Sequence, residues 1–189
     1  MSVSLLAVPA VEPVSLADLK AHLRVTGGEQ DVALIALTVA ARATLERLAG
    51  RHMISQGWRV HLDALPPDGL VTLPLRPVRS VTAVRVIGAG GEATVVPPSA
   101  YTLDRASEPA RLRFTAPVPR PGVPIAGVEV DLVTGYGTSP DSVPEPLRQA
   151  VRLLAARWYE TRADGSGSAD LPDEVVRLAD LYRVRRLVA

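Results

Sequence analysis

The sequence predicts an α+β fold: a helical framework, two helices at the amino terminus and two at the carboxyl terminus, carrying an antiparallel β-sandwich or barrel-like insertion. Three observations predict it. Apolar residues recur at helical spacing at both ends, and period-two alternation with turn residues fills the middle. No helical pattern separates the strands, which argues against a parallel βαβ sheet. The chain divides into residues 1–56 (helical), 57–137 (the β module) and 138–189 (helical, with a carboxyl-terminal tail). Each flanking helical pair is too small to bury a core alone, so the two are read as one framework.

The first helix is expected from Ser15. Ser15 is an N-cap with Asp18 three residues on, and Leu16, Leu19 and Leu23 share a face. Thr26, Gly27 and Gly28 break it. Asp31 to Gly50 reads as a longer helix with a stripe of Leu34, Leu37, Ala41, Leu45 and Leu48, widened by Val32, Ile35 and Val39. A stripe this broad implies burial on more than one side, against other helices or another subunit.

Strands are expected at Trp58–Leu62, Leu70–Leu75, Val81–Ile87, Ala93–Val96, Tyr101–Asp104, Arg111–Phe114 and Val128–Val133. Between them, Pro66 to Gly69, Gly88 to Gly91, Pro97 with Pro98, and Pro117 to Pro124 supply turn chemistry. In the last strand Val128, Val130, Leu132 and Thr134 alternate with Glu129, Asp131 and Val133, so the two carboxylates are expected on a solvated face. Gly135 and Gly137 end it where positive φ is cheap. Pro140, Pro144 and Pro146 follow, and Ser142 or Asp141 caps the next helix, with Glu145 placed as in a capping box. Leu147, Val151, Leu154 and Trp158 mark that helix. Ala163 to Asp170 reads as a flexible connector, and a last helix starts near Leu171 and runs to about Arg186.

Composition narrows the function classes. With 189 residues and 47% hydrophobic content, the chain suits a globular fold; aromatics at 4% leave Leu, Val and Ala to build the core. There is no cysteine, hence no disulfide and no thiolate metal site. Met1 to Glu12 is apolar in part but lacks a basic n-region, and no run is long enough for a bilayer, so no membrane role is expected. A formal charge of +1 argues against bulk electrostatic grip on nucleic acid. Lys20 is the sole lysine; guanidinium forks suit phosphate, but the accompanying excess of Ala, Pro, Val and Gly favours GC-rich coding as the cause.

No catalytic constellation emerges. His22, His52 and His61 lack metal-ligand spacing, and neither a nucleophile elbow nor a Walker lysine is present. Gly88 to Gly91 lacks the third glycine of a dinucleotide loop and reads as a hairpin. Val133 to Gly137 matches a potassium filter only in letters, without a bilayer pore. Catalytic residues, cofactors and metals are therefore expected to be none. Tyr182, Arg183, Arg185, Arg186 and Leu187 form a cationic cluster with apolar neighbours; a helix C-terminus favours such arginines, and so does a docking segment.

Gly135 to Gly137, Val143 to Ala150, and Leu153 to Glu160 with Arg162 resemble the signature of tailed-phage head–tail connector proteins, the adaptors or head-completion proteins that also occur in gene transfer agents. Pro13 to Arg24, Asp31 with Leu34 and Ile35, Ala40 to Leu48, and Leu181 to Leu187 resemble that family's other helices and its terminal segment. The family often has proline where this chain has Leu181, which makes a continuous helix through Tyr182 an expectation here. The resemblance implies a non-enzymatic homo-oligomeric ring of about a dozen copies under the portal protein. It also implies neck, stopper or tail proteins as neighbours, and double-stranded DNA passing through the channel without sequence-specific binding. The place implied is the head–tail junction of a virion or gene transfer agent particle, reached through the producing bacterium's cytoplasm during assembly. Tyr182, Arg183, Arg185, Arg186 and Leu187 are then the candidate portal-binding residues, and Leu34, Leu37, Arg148 and Arg152 the candidate ring interface. Trp158 and Tyr159 are expected to pack inside the framework. The alternative is a DNA-binding accessory protein of packaging that uses its arginines.

Overall fold

A computed structural model describes residues 1–161 and 171–183. Two compact units appear: residues 1–9 with 55–135, and residues 10–54 with 136–189.

The first unit is built from β1 (Ser2–Ala7), β2 (Gln56–Leu62), β3 (Leu70–Thr72), β4 (Val78–Ile87), β5 (Ala93–Val96), β6 (Tyr101–Asp104), β7 (Arg111–Phe114) and β8 (Val128–Thr134). They form two antiparallel sheets, ordered β1-β2-β8-β4-β5 and β3-β7-β6. No closed barrel is found among the described residues. Every second residue of β8 points to the core: Val128, Val130 and Leu132 join Val60, Val84 and Val86 from the flanking strands and Val71 and Leu112 from the smaller sheet. Alternation thus works as expected, since side chains on successive strand residues face opposite ways. Gly88 to Gly91 is a hairpin loop, with the Gly91 N–H donating to the Gly88 carbonyl at 3.0 Å and Gly91 at φ 86°.

One strand was not anticipated. The amino-terminal residues, grouped above with the helical part, pair with β2 from Ser2 opposite His61 to Ala7 opposite Gly57. All six residues of β1 are exposed, so burial left no mark on their sequence.

The second unit holds α1 (Leu16–Leu23), α2 (Asp31–Ala49), α3 (Glu145–Thr161) and α4 (Asp173–Asp180). Ser15 caps α1 as expected, its hydroxyl accepting from the Asp18 N–H at 3.0 Å. Lys20 pairs with Asp31 at 2.6 Å and so ties α1 to the start of α2. Gly50, at φ 67°, ends α2. Helix α3 packs against α1, α2 and α4, and Leu19, Leu34, Leu45, Leu147, Leu154 and Val175 make the core. Trp158 and Tyr159 pack against it, as expected.

Two helix ends depart from expectation. Ser142 does not cap α3; it lies in a 3-10 turn, its hydroxyl 3.1 Å from that of Ser139. The Pro144 carbonyl instead receives the first helical bonds, from Leu147 at 3.0 Å and Arg148 at 3.2 Å. Pro146 has no N–H to satisfy there. Helix α4 stops at Asp180 rather than near Arg186: the Tyr182 N–H turns back to the Ala179 carbonyl at 3.0 Å. The connector residues 163–170 lie outside the described residues.

Candidate assembly surfaces

The long helix α2 has a double character. Leu34, Ala41 and Leu45 are fully buried, and Leu37 and Leu48 are half-buried against the same core. Val32, Ile35 and Val39 lie on the other flank, 83%, 48% and 39% exposed. Their spacing of three and four aligns them on one face. The width of the sequence stripe therefore had two causes, one core-facing and one open. Leu34, expected at a ring interface, has no accessible surface to offer a neighbour. Beside Ile35 lies an apolar groove of about 270 Å³ lined by Val11, Val14, Leu16, Thr38 and Pro140.

Arg148 and Arg152, the other expected interface residues, sit at the start of α3 with two acids. Arg148 reaches Asp141 at 2.7 Å and Glu145 at 3.0 Å; Arg152 lies 3.7 Å from Glu145 and donates to Gln149. Asp141 and Glu145 are well exposed while the two arginine side chains are mostly covered, so the carboxylates form the solvent side of this cluster.

The third surface is at the end of α4. Arg51 Nε donates to the Tyr182 carbonyl at 2.6 Å, and the Tyr182 ring meets Tyr136 edge-on, centroids 6.5 Å apart. Tyr136 is itself fixed by its N–H, which donates to the Met53 carbonyl at 2.8 Å, and Gly137 bridges Ile54. Of the two glycines beside it, Gly135 takes positive φ, at 105°. Arg183 is exposed and 3.6 Å from Asp180. Arg185, Arg186 and Leu187 lie outside the described residues.

Two buried charge networks went unseen in the sequence. The first corrects the expected solvated face of β8. Asp131 is buried, held by Arg59 at 2.7 Å and Arg85 at 2.6 Å, while Glu129 meets Arg59 at 3.0 Å. Strand register explains it: Arg59 lies opposite Asp131 on β2, and Arg85 opposite Glu129 on β4. Burial pushes the Asp131 carboxyl up, but the hydrogen bonds and charges of Arg59 and Arg85 outweigh it and hold the group below its usual range. Asp131→Asn is expected to destabilise the β unit by about 1–2 kcal/mol, less than a fully buried pair because both arginines keep contact with water. Urea unfolding followed by Trp58 fluorescence in a Trp158→Phe background reads this.

The second network ties Arg42 of α2 to Glu12 at 2.7 Å and Glu46 at 2.8 Å, with the Met53 N–H donating to Glu46 at 2.7 Å. The spacing of Arg42 and Glu46 was visible as an i,i+4 pair; nothing local marked Glu12. Among the described residues no group of three or more His, Cys, Asp or Glu could hold a metal, and no helix is long and apolar enough to cross a membrane.

No family model and no curated protein matches the chain. Solved structures do. One chain from the neck of an empty gene transfer agent (GTA) particle computed with C6 symmetry is 33% identical, with a TM-score of 0.82 over 100% of this chain and 99% of that one. A chain from the virion of a native GTA particle gives 32% and 0.79 over the same shares. A third, from the neck of a native GTA particle computed with C12 symmetry, gives 34% and 0.79, again over 100% and 99%. Likeness at this level along the whole length defines the class as a structural component of tailed particles. The chain belongs to the tailed-phage head–tail connector family that includes gene transfer agent adaptors.

Proposed function

We propose that this protein is the adaptor subunit of a particle neck: about a dozen copies close into a ring under the portal, continue the DNA channel and present a surface to stopper or tail proteins. The observation that carries the ring is the open apolar face of α2. Three large aliphatic side chains on one flank of a core helix, beside an apolar groove, are a surface that a monomer has no reason to keep. A C12 neck containing a chain of this family supplies the kind of partner, a second copy. Leu37, half-buried on the opposite flank of α2, and the ion pairs of Arg148 and Arg152 belong to the same reading.

DNA passes without specific binding. Arg42, Arg59, Arg85, Arg111 and Arg148 each face a carboxylate, which leaves them poorly disposed to hold phosphate. Portal attachment is assigned to the chain's end, Tyr182 and Arg183 with Arg185, Arg186 and Leu187.

The double variant Ile35→Glu, Val39→Glu tests the ring. Both positions are exposed, so the subunit should fold with wild-type circular dichroism, while rings seen by electron microscopy on portal should disappear. Rings of normal occupancy would remove α2 from the interface.

A further inference from the structure

We infer that the loop of residues 115–127, between β7 and β8, is the part of a neighbouring copy that fills the α2 groove, with Ile125 seated in it and Arg120 against its acidic rim. This deepens the ring reading above and rests on it.

A cyclic ring sets the first condition. Two identical patches that meet make a two-fold dimer, whereas a closed ring needs one patch of each copy to meet a different patch of the next. The α2 face therefore requires a counterpart elsewhere on the chain. That counterpart must be apolar, exposed and projecting, since Val14, Leu16 and Ile35 line a concave groove. Outside α2, Ile125 is the most exposed large aliphatic side chain among the described residues, at 76%.

The loop holds Ile125 in a fixed place. Pro117, Pro119, Pro121 and Pro124 restrict its backbone. The Gly122 N–H donates to the Ile87 carbonyl at 2.8 Å, the Ile87 N–H to the Gly127 carbonyl at 2.9 Å, and the Ala126 N–H to Asp63 Oδ1 at 3.0 Å. Gly122 lies so close to the neighbouring hairpin that a Cβ there would stand 2.1 Å from the Ala89 nitrogen. Ala126 takes φ 52°, a conformation that residues with side chains rarely adopt. Yet Ile125 is no part of the β core. A constrained loop that displays an apolar side chain lowers the ordering cost of a contact made with another molecule.

Size and charge agree. The groove has a volume of about 270 Å³. A cavity of about 150 Å³ already accepts a six-carbon ring, so the smaller side chain of Ile125 fits. Glu12, which pairs with Arg42, lines the groove; Asp141, next to Pro140 at its edge, has a side chain 92% exposed and gives only Oδ1 to Arg148. Arg120 is exposed and in no ion pair among the described residues. An apolar tip with an unpaired guanidinium thus matches an apolar floor with a carboxylate rim. The loop belongs to the first unit and the groove to the second, so every copy supplies both halves. The ring reading puts a second copy at the α2 face, and these features say which part of it arrives.

The chain has no cysteine, so engineered thiols report the contact without background. Ile35→Cys and Ile125→Cys variants of the full-length protein, both at exposed positions, are assembled on rings of the portal protein from the same genome, oxidised with diamide and resolved without reductant. Mixed in equal amounts, the two variants are expected to give a covalent dimer, while each alone stays monomeric. A chain carrying both cysteines should give a ladder of dimers, trimers and longer species. Ile125→Glu should abolish rings with wild-type circular dichroism. Arg120→Ala should raise the concentration needed for assembly several-fold at low salt, a difference that shrinks as salt rises. A dimer from Ile35→Cys alone would show α2 faces meeting each other and overturn the loop assignment. Rings of normal occupancy that yield no dimer from the mixture, or that survive Ile125→Glu, would overturn it too and leave the ring reading standing. If the wild type forms no rings on portal, the ring reading falls and the inference with it.

Discussion

Leu154→Ala is expected to lower the unfolding free energy of the helical unit by about 3 kcal/mol, within the range for leucines truncated in closed cores. Leu154 has no accessible surface and sits on α3, which packs against the other three helices of its unit. The surrounding core comes from all four helices, with Leu34 and Leu45 from α2 and Val175 and Ala179 from α4. A closed core to which all four helices contribute leaves little freedom to collapse on a vacated space. The cost should therefore include most of the cavity penalty as well as the lost transfer energy. The chain contains two tryptophans, Trp58 on β2 and Trp158 on α3, one in each unit. A Trp58→Phe background lets Trp158 report the helical unit through urea unfolding, and a midpoint within error of the parent's would show that Leu154 is not the keystone of that core. Loss of the helical unit also removes the α2 face on which the proposed ring rests, so ring formation should fail as the variant unfolds.

The β unit was the most readable part of the sequence. Its strands alternate with period two and are separated by proline and glycine clusters, both of which are local signals. Seven of its strands form where the pattern expects them, though β2 starts at Gln56, β3 stops at Thr72, β4 starts at Val78 and β8 reaches Thr134. The first strand escaped because it exists only through pairing with β2, a partner about fifty residues away with no covalent hint of the register. Asp131 escaped for a related reason. Alternation correctly turned it away from the core, but whether that face is wet depends on Arg59 and Arg85 from two neighbouring strands. On α2 the helical period was plain, yet hydrophobicity alone could not say which flank was core and which was surface. Leu34 and Ile35 are adjacent, both aliphatic, and opposite in exposure. The excess of apolar residues on α2 was thus visible, but not its division into a buried and an open flank. The end of α4 depended on Tyr182 finding Tyr136, a contact that no periodicity encodes.

Acidification should expose a second weakness of the helical unit, at His52. This residue follows Arg51 in the segment after α2, and burial together with the charge of Arg42 lowers its pKa from 6.5 to about 4. The folded state therefore keeps the imidazole neutral, while the unfolded chain protonates it below 6.5. Between these values the unfolded state binds more protons, so stability rises with pH across the window and is lost as pH falls from 6.5 towards 4. A difference of this size corresponds to about 3 kcal/mol at full effect, or about 2 once the water that still reaches the half-buried ring is counted. Glu12 and Glu46 hold Arg42 in place through ion pairs at 2.7 and 2.8 Å. Other carboxylates begin to titrate near its lower end, which makes the comparison with His52→Gln the decisive one. The variant should show a nearly flat unfolding free energy between pH 6.5 and 5, where the wild type slopes downward. Equal slopes would mean that His52 is reached by protons in the folded state and that Arg42 does not govern it.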